Sequence, residues 1–405
     1  MLHSDESALK SNVSPGTRGS GEKHTFATLQ SAIRNPQSVP RPRDNHNRHD
    51  PPMFAILLGF ITAFTLTYLA IPSIIGVARV RKLYDSPNAR SAHDEPTPSL
   101  GGVAIFAGAI CGIILWAPVQ SFGMLQYILA ALVIIFLIGV KDDLVPLSPA
   151  KKLFGQILAA LILVYKSHVK ITSLYGVFGV YELPELPSFI LSVLVIVGIV
   201  NAFNLIDGIN GLAGSIGLLA CATLGGWFFM TGFMEFAVLA FSLTGALTAF
   251  LKYNFTPARI FMGDTGAMLI GTVCAVLAIK FVELNTAVSE SESLKFESAP
   301  AIAIAVLILP IFDTLRVFTH RLRRGQSPFH PDRSHIHHQL LDAGLTHMQA
   351  TAVLVGLNVL ILAWVAALHT WGTSWLLLLE LIIVIVFSFW LRWLVRRYQR
   401  KVGFS

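Results

Sequence analysis

Most of this chain is written in long apolar blocks separated by short polar connections. Beginning at residue 54, eleven blocks fall at about 54–77, 100–118, 122–139, 152–166, 188–203, 211–230, 234–251, 264–282, 299–318, 350–369 and 372–393. Each is near the ~20 residues that a helix needs to cross a bilayer core, and the fourth is short. The pattern predicts an all-α polytopic membrane protein with about eleven transmembrane helices. The junction between the fifth and sixth blocks breaks the apolar rule. Asn201, Asn204, Asp207 and Asn210 recur there every third residue, with Gly208, Gly211 and Gly214 one place behind. Three helical residues turn by about 300°, so such a row shares one slowly drifting face. Glycine-mediated packing with amide cross-links is one reading. A polar stripe at membrane depth is costly, however, and an aspartate within it favours a functional site.

Residues 1–52 lack periodicity and are rich in Ser, Pro, Asn, Arg and His, the composition of a disordered extension. They contain neither the apolar centre of a signal peptide nor the pattern of a transit peptide. The expected division is therefore a polar extension over 1–52 and a transmembrane catalytic domain over 53–405. Met53, directly before the first block, is the expected true start. Composition agrees with the pattern: 54% of the 405 residues are hydrophobic and only 13% charged, with a mean hydropathy of +0.65. Soluble domains carry roughly a quarter charged residues. Cys111, Cys221 and Cys274 lie apart in apolar blocks, so neither a thiolate zinc site nor a disulfide framework is indicated.

The net charge of +7 alone would suit nucleic acid, but its distribution excludes that partner. Alternate connections and the C-terminal tail collect 19 basic residues on one side of the expected membrane. Only Lys166, Lys170, Lys280 and Lys295 fall opposite. The bias of Lys and Arg towards the cytoplasm puts the N-terminus outside and the C-terminus inside.

The residues capable of chemistry gather on that cytoplasmic side. Lys141-Asp142-Asp143 follows the third block; paired carboxylates attract Mg²⁺, and their repulsion raises one pKa towards a general base. A solvated acid pair is the plainer alternative. Lys152 is placed to meet a phosphate or to pair with these acids. Met262-Gly263-Asp264-Thr265-Gly266 opens the eighth block, where Asp264 suits a helix cap, a metal ligand or both. His335, His337 and His338 follow Asp332-Arg333 in the longest cytoplasmic loop. His335 and His338 would share a helix face; no HExxH pattern or thiolate partner supports zinc, and imidazoles beside an arginine suit a diphosphate better. Arg90, His93 and Pro96-Thr97-Pro98-Ser99-Leu100-Gly101-Gly102 name no ligand by themselves, and Asp313 in the ninth block has no assignment. Acids for Mg²⁺, bases for phosphate and glycines for close approach, all at one membrane face, point to phosphoryl transfer involving a lipid.

These five motifs, in order and spacing over 53–405, resemble those of the polyprenyl-phosphate N-acetylhexosamine-1-phosphate transferases, glycosyltransferase family 4. Each is weak alone, but five in order on one face are specific. The His-x-His-His form and the eleven blocks resemble the WecA-type branch, the undecaprenyl-phosphate N-acetylglucosaminyl-1-phosphate transferases. The phospho-N-acetylmuramoyl-pentapeptide transferases of peptidoglycan synthesis carry three consecutive histidines and ten spans. The resemblance implies transfer of a sugar-1-phosphate, GlcNAc-1-phosphate first, from a UDP-N-acetylhexosamine to undecaprenyl phosphate, releasing UMP and initiating a lipid-linked surface glycan such as O-antigen. It implies Mg²⁺, with Mn²⁺ as a substitute, held by Asp264 and Asp142. Asp142, Asp143 and Asp207 would form the catalytic set. Lys152, Asn204, Asn210, Arg333, His335, His337 and His338 would bind the donor. The bacterial inner membrane is the implied location, with the active site at its cytoplasmic face and a homodimer as a compatible assembly. One departure stands out: relatives commonly have a second aspartate where this chain has Asn210, which keeps an oxygen but loses the charge. A proton-coupled transporter is the rival from another class. It predicts mid-span acids and inverted repeats, and the sequence has no internal repeat.

Overall fold

Sustained apolar sequence with few helix breakers folds into helices wherever the backbone cannot be satisfied by water. In the computed structural model, residues 52–83, 97–289, 292–325 and 334–402 are described. Arg90, His93, Pro96 and the stretch His330–Arg333, including the expected donor-binding Arg333, lie outside them. In chain order, the helices are α1 (Pro52–Arg81), α2 (Gly101–Trp116), α3 (Phe122–Leu144), α4 (Pro149–Lys166), α5 (Glu185–Ile206), α6 (Leu212–Thr231) and α7 (Met234–Asn254). They continue with α8 (Gly263–Asn285), α9 (Ala299–Val306), α10 (Ile308–Arg323), α11 (Ile336–Asp342), α12 (His347–Ala367) and α13 (Thr373–Val402).

Every apolar block of the sequence is helical. Among the described residues, eight helices are long and apolar enough to cross a membrane, and the bent pair α9–α10 adds a ninth if it is one broken span rather than a re-entrant loop. The other two blocks fall short for visible reasons. Helix α2 has only 16 residues, and α4 carries Lys151, Lys152 and Lys166 within its 18. The fold is that of an all-α polytopic membrane protein, with one addition. The connection after α4 forms an antiparallel hairpin, β1 (Ser173–Val177) with β2 (Val180–Glu182), tied to α8 by Tyr175 Oη donating to Val282 O at 2.8 Å.

The expected continuous span over 299–318 is instead two helices meeting at Leu307 with a bend of 77°. Carbonyls exposed at such a break need a donor within the apolar interior. Asn358 of α12 supplies it, its amide donating to Ala305 O at 3.0 Å and Val306 O at 3.3 Å.

Helix α8 is the axis of the bundle, with nearly every side chain buried. Glycines let neighbouring helices reach its first turn. A Cβ on Gly102 of α2 would lie 2.2 Å from Gly266 N, and one on Gly139 of α3 would lie 2.4 Å from Thr265 Cα. The segment before α2 adds backbone bonds to the strand-like run entering α8: Phe261 N donates to Pro98 O at 2.8 Å, and Gly101 N to Phe261 O at 2.9 Å. The described part of the motif, Thr97-Pro98-Ser99-Leu100-Gly101-Gly102, therefore braces the entrance of α8, and this packing fixes the position of Asp264.

Candidate active site

Four helix ends converge at one end of the bundle: the last turns of α3 and α5 and the first turns of α4 and α8. Their sequences place Asp142 and Asp143, Asn204, Lys152 and Asp264 at those ends. Adjacent helical residues point about 100° apart, so Asp142 and Asp143 cannot face the same ligand. The structure separates their roles accordingly.

Asp143 faces α8. Its carboxylate accepts from Asp264 N at 2.7 Å, Thr265 N at 3.1 Å and the Thr265 hydroxyl. It thereby caps a helix to which it does not belong, satisfying amides that have no partner within α8 and placing negative charge at its positive end. Gly263 makes this possible. Its φ of +71° is left-handed, and a Cβ there would lie 2.7 Å from Asp143 Oδ2. Because Asp143 does the capping, the Asp264 side chain is not consumed by its own helix.

Asp264 instead faces Lys152. The Lys152 ammonium contacts Asp264 Oδ2, lies 3.1 Å from Asp142 Oδ2 and donates to Asn204 Oδ1 at 3.1 Å. The Asn204 amide in turn donates to Asp264 Oδ1. Asp142 is steadied from its other side by Leu147 N at 2.6 Å. One turn deeper, Asn201 and Gln156 pair, with Asn201 Nδ2 donating to Gln156 Oε1 at 2.8 Å. The first half of the polar stripe is thus a two-rung ladder between α4 and α5. Its outer rung holds the charged group, and its inner rung is buried packing.

The second half of the stripe leaves the helix. Helix α5 stops at Ile206, and Asp207 occupies the junction before α6. Its carboxyl is pushed up to about 7, first by desolvation and then by the negative charges of Asp264 and Asp143. Asn210 is buried and joins none of the bonds around Lys152. Its Nδ2 donates to Thr256 Oγ1 at 3.0 Å, its carbonyl accepts from Thr351 Oγ1 at 2.8 Å, and its N donates to His347 Nδ1 at 3.4 Å. These bonds anchor the junction to α12 and to Thr256 and leave the Asn210 side-chain oxygen without a hydrogen-bond partner.

The histidine motif is brought to this junction by a residue that the sequence left unassigned. Buried Asp313 of α10 meets His335 Nδ1 at 2.9 Å, accepts from Ile336 N at 3.0 Å and pairs with Arg316 at 3.0 Å. The Asp313–Arg316 spacing of three within an apolar block was the available sequence signal. His335 precedes α11 and is committed to Asp313. His337 is 1% exposed, and neither ring nitrogen has a hydrogen-bond partner. Burial and the neighbouring His338 hold its pKa down at about 3, so the ring is neutral. It packs on the backbone of Gly208, where a Cβ would lie 2.1 Å from Nε2. Of the three expected donor-binding imidazoles, two are therefore internal, and only His338 is half-exposed.

Two carboxylates and an amide oxygen converge on one cation, the ammonium of Lys152. Among the described residues no three His, Cys, Asp or Glu side chains form a closed metal cage. That donor set nevertheless fits Mg²⁺, which binds through one or two carboxylates and completes its shell with water and substrate phosphates.

Acids, a lysine and histidines gathered at one end of a polytopic bundle are the side chains that phosphoryl transfer at a membrane calls for. Residues 125–282 match the profile of Glycosyl transferase family 4. The Bacillus subtilis protein named "Probable undecaprenyl-phosphate N-acetylglucosaminyl 1-phosphate transferase" is 32% identical over 84% of this chain and 91% of its own. The decaprenyl-phosphate N-acetylglucosaminephosphotransferase of Mycolicibacterium smegmatis is 33% identical over 78% of this chain and 82% of its own. The undecaprenyl-phosphate alpha-N-acetylglucosaminyl 1-phosphate transferase of Salmonella typhi is 29% identical over 86% and 95%. The chain belongs to glycosyl transferase family 4.

Proposed function

We propose that this protein transfers N-acetylglucosamine-1-phosphate from UDP-N-acetylglucosamine to undecaprenyl phosphate, releasing UMP and starting a lipid-linked surface glycan. The observation that carries the reading is the Lys152 ammonium held by Asp142, Asn204 and Asp264, in a chain whose relatives are named for this transfer. Those names favour this branch over the muramoyl-pentapeptide one. We also infer eleven spans in the bacterial inner membrane, and the charge bias supports an outside N-terminus and the site at the cytoplasmic face.

In the proposed reaction an oxygen of the lipid phosphate attacks the donor's β-phosphorus. The new P–O bond joins lipid to sugar phosphate, and the bond between β-phosphorus and the bridging oxygen breaks, leaving UMP. Asp264 and Asp142, with Asn204, would hold Mg²⁺, which would neutralise the diphosphate's developing charge. Lys152 exchanges its carboxylate contacts for a phosphate oxygen. Asp143 acts by orientation: both its oxygens are bound to the first turn of α8, so it positions Asp264 rather than moving protons. Asp207, with its raised pKa, adds or withholds negative charge beside the donor. His338 and Arg333 donate to the diphosphate, while His335 and His337 hold the loop that presents them.

The test is UMP release, read by mass spectrometry, from a panel of UDP-N-acetylhexosamines with purified protein, undecaprenyl phosphate and Mg²⁺. Release from UDP-N-acetylglucosamine above the other donors is expected. No UMP from any of them would sink the proposal. Full activity in Asp264→Asn would refute the metal assignment alone.

A further inference from the structure

Away from the transfer site, α1 and α7 run side by side in the same direction. Gly59 lies against Ser242, the Phe60 carbonyl against Gly245, and Tyr68 against Tyr253. Helix α7 stops at Asn254, whereas α1 continues 13 residues past Tyr68 to Arg81, about 20 Å at 1.5 Å per residue. The end of one helix and the flank of the other therefore form a notch. Two cations enter it. Lys252 Nζ pairs with no acid; it donates to Tyr68 Oη at 3.1 Å and lies 4.7 Å above the Tyr68 ring. The Arg259 guanidinium lies 5.6 Å above the Tyr253 ring, and the two tyrosine rings are 5.4 Å apart. Among the described residues neither cation has a carboxylate partner, although Lys152, Lys170, Lys280 and Arg316 all do.

Below the notch, Phe60, Phe64 and Tyr68 stack on the flank of α1, with centroids 6.3 and 5.8 Å apart and planes within 10° and 6° of parallel. A lysine that serves only to bias topology leaves its ammonium in water. Here aromatic faces hold both cations in place without neutralising them, directly above a flat apolar strip. That is the chemistry of a phosphate with hydrocarbon attached: charge-assisted donors for the oxygens, aromatic area for the chains.

We propose that Lys252, Arg259 and the Tyr68 hydroxyl bind the phosphate of an anionic phospholipid in the cytoplasmic leaflet, its acyl chain lying on Phe60 and Phe64. The site rests on the membrane orientation proposed above, which puts the C-terminal end of α7 and the notch at the anionic leaflet. Its occupancy is read without turnover, so failure of the transferase reading would leave the result intact.

The test is native mass spectrometry of the full chain from micelles doped with phosphatidylglycerol or with chain-matched phosphatidylcholine. Wild type is expected to retain one phosphatidylglycerol adduct. Lys252→Ala with Arg259→Ala should lower its retention at least roughly tenfold, the scale expected of two basic residues at an anionic surface. Arg400→Ala, which removes a basic residue elsewhere, should retain it unchanged. Should the double alanine variant unfold early, the single Arg259→Gln, at an exposed side chain, must still show a loss, and the charge-preserving Lys252→Arg must show none. Equal retention of phosphatidylcholine, or an undiminished adduct in the alanine variants, would overturn the proposal. One-for-one displacement by undecaprenyl phosphate would assign the notch to the acceptor and overturn it as well.

Discussion

Gly208→Ala tests whether two motifs 129 residues apart meet as the structure has them. The added methyl carbon would lie 2.1 Å from His337 Nε2 and 2.9 Å from both adjoining ring carbons. Non-bonded carbon contacts are comfortable at ~3.5–4.0 Å, so the overlap exceeds ~1 Å and something must move. The ring has little room to do so. His335 and His338 flank it with centroids 5.6 and 4.3 Å away, and Asp313 pins His335 from behind. Overpacking of this kind costs about 1–3 kcal/mol. His337→Ala removes the obstacle at the expense of a cavity. The double variant should therefore be less destabilised than the sum of the singles, with a coupling of about 1–3 kcal/mol. Apparent thermal midpoints at one scan rate, together with UMP release, would measure both consequences. Because Asp207 precedes Gly208, the single Gly208→Ala should lose activity and the double variant regain part of it. Additivity within ~0.5 kcal/mol, or a Gly208→Ala protein of wild-type stability and activity, would refute the packing of the histidine loop on the junction.

Other substitutions separate positioning from chemistry. Asp264→Asn, nearly isosteric, should keep the fold and lower UMP release by roughly 10²-fold or more, the scale for loss of one transition-state contact; a thermal midpoint within a degree or two of wild type checks the first part. Asp143→Ala should do the reverse in emphasis, costing about 1–2 kcal/mol for the lost cap and lowering activity through a displaced Asp264; unchanged midpoints would count against its capping role. Asp313→Asn should release His335 and weaken donor binding more than turnover, seen as a raised KM with smaller change in kcat. The pH dependence of stability should carry the signature of His337. Its folded pKa of about 3 lies below the usual ~6.5, so the unfolded chain binds the extra proton between these values. The stability it contributes is complete above pH ~6.5 and declines as pH falls towards 3. His337→Phe should flatten that part of the melting-temperature profile relative to wild type, and an identical slope would contradict the assignment.

The bilayer explains how much of the fold was legible. A chain that must satisfy its backbone internally advertises each helix as an apolar block, and every block proved helical. What the blocks could not reveal were events decided by a partner elsewhere in the chain. Residues 299–318 are apolar throughout, and the bend at Leu307 depends on Asn358 of another helix to receive its exposed carbonyls. The site divides in the same way. Asp142, Lys152, Asn204 and Asp264 could be selected from the sequence because charged and amide groups at helix ends in an apolar chain need a reason. Their division of labour could not, with one exception: neighbours on a helix diverge by about 100°, so Asp142-Asp143 could already have been read as two functions rather than a shared ligand. The histidine motif shows the same limit. Imidazoles near an arginine suggested donors to phosphate, and the sequence could not show that a buried acid 22 residues away on a different helix holds His335. Asp264 brings these points together. A carboxylate in the first turn of a helix ordinarily serves that helix, and from the sequence Asp264 suited capping, ligation or both. Only the structure shows that Asp143 reaches across from α3 to do the capping. With the first amides of α8 already bound by Asp143, the Asp264 carboxylate is left to Lys152 and Asn204.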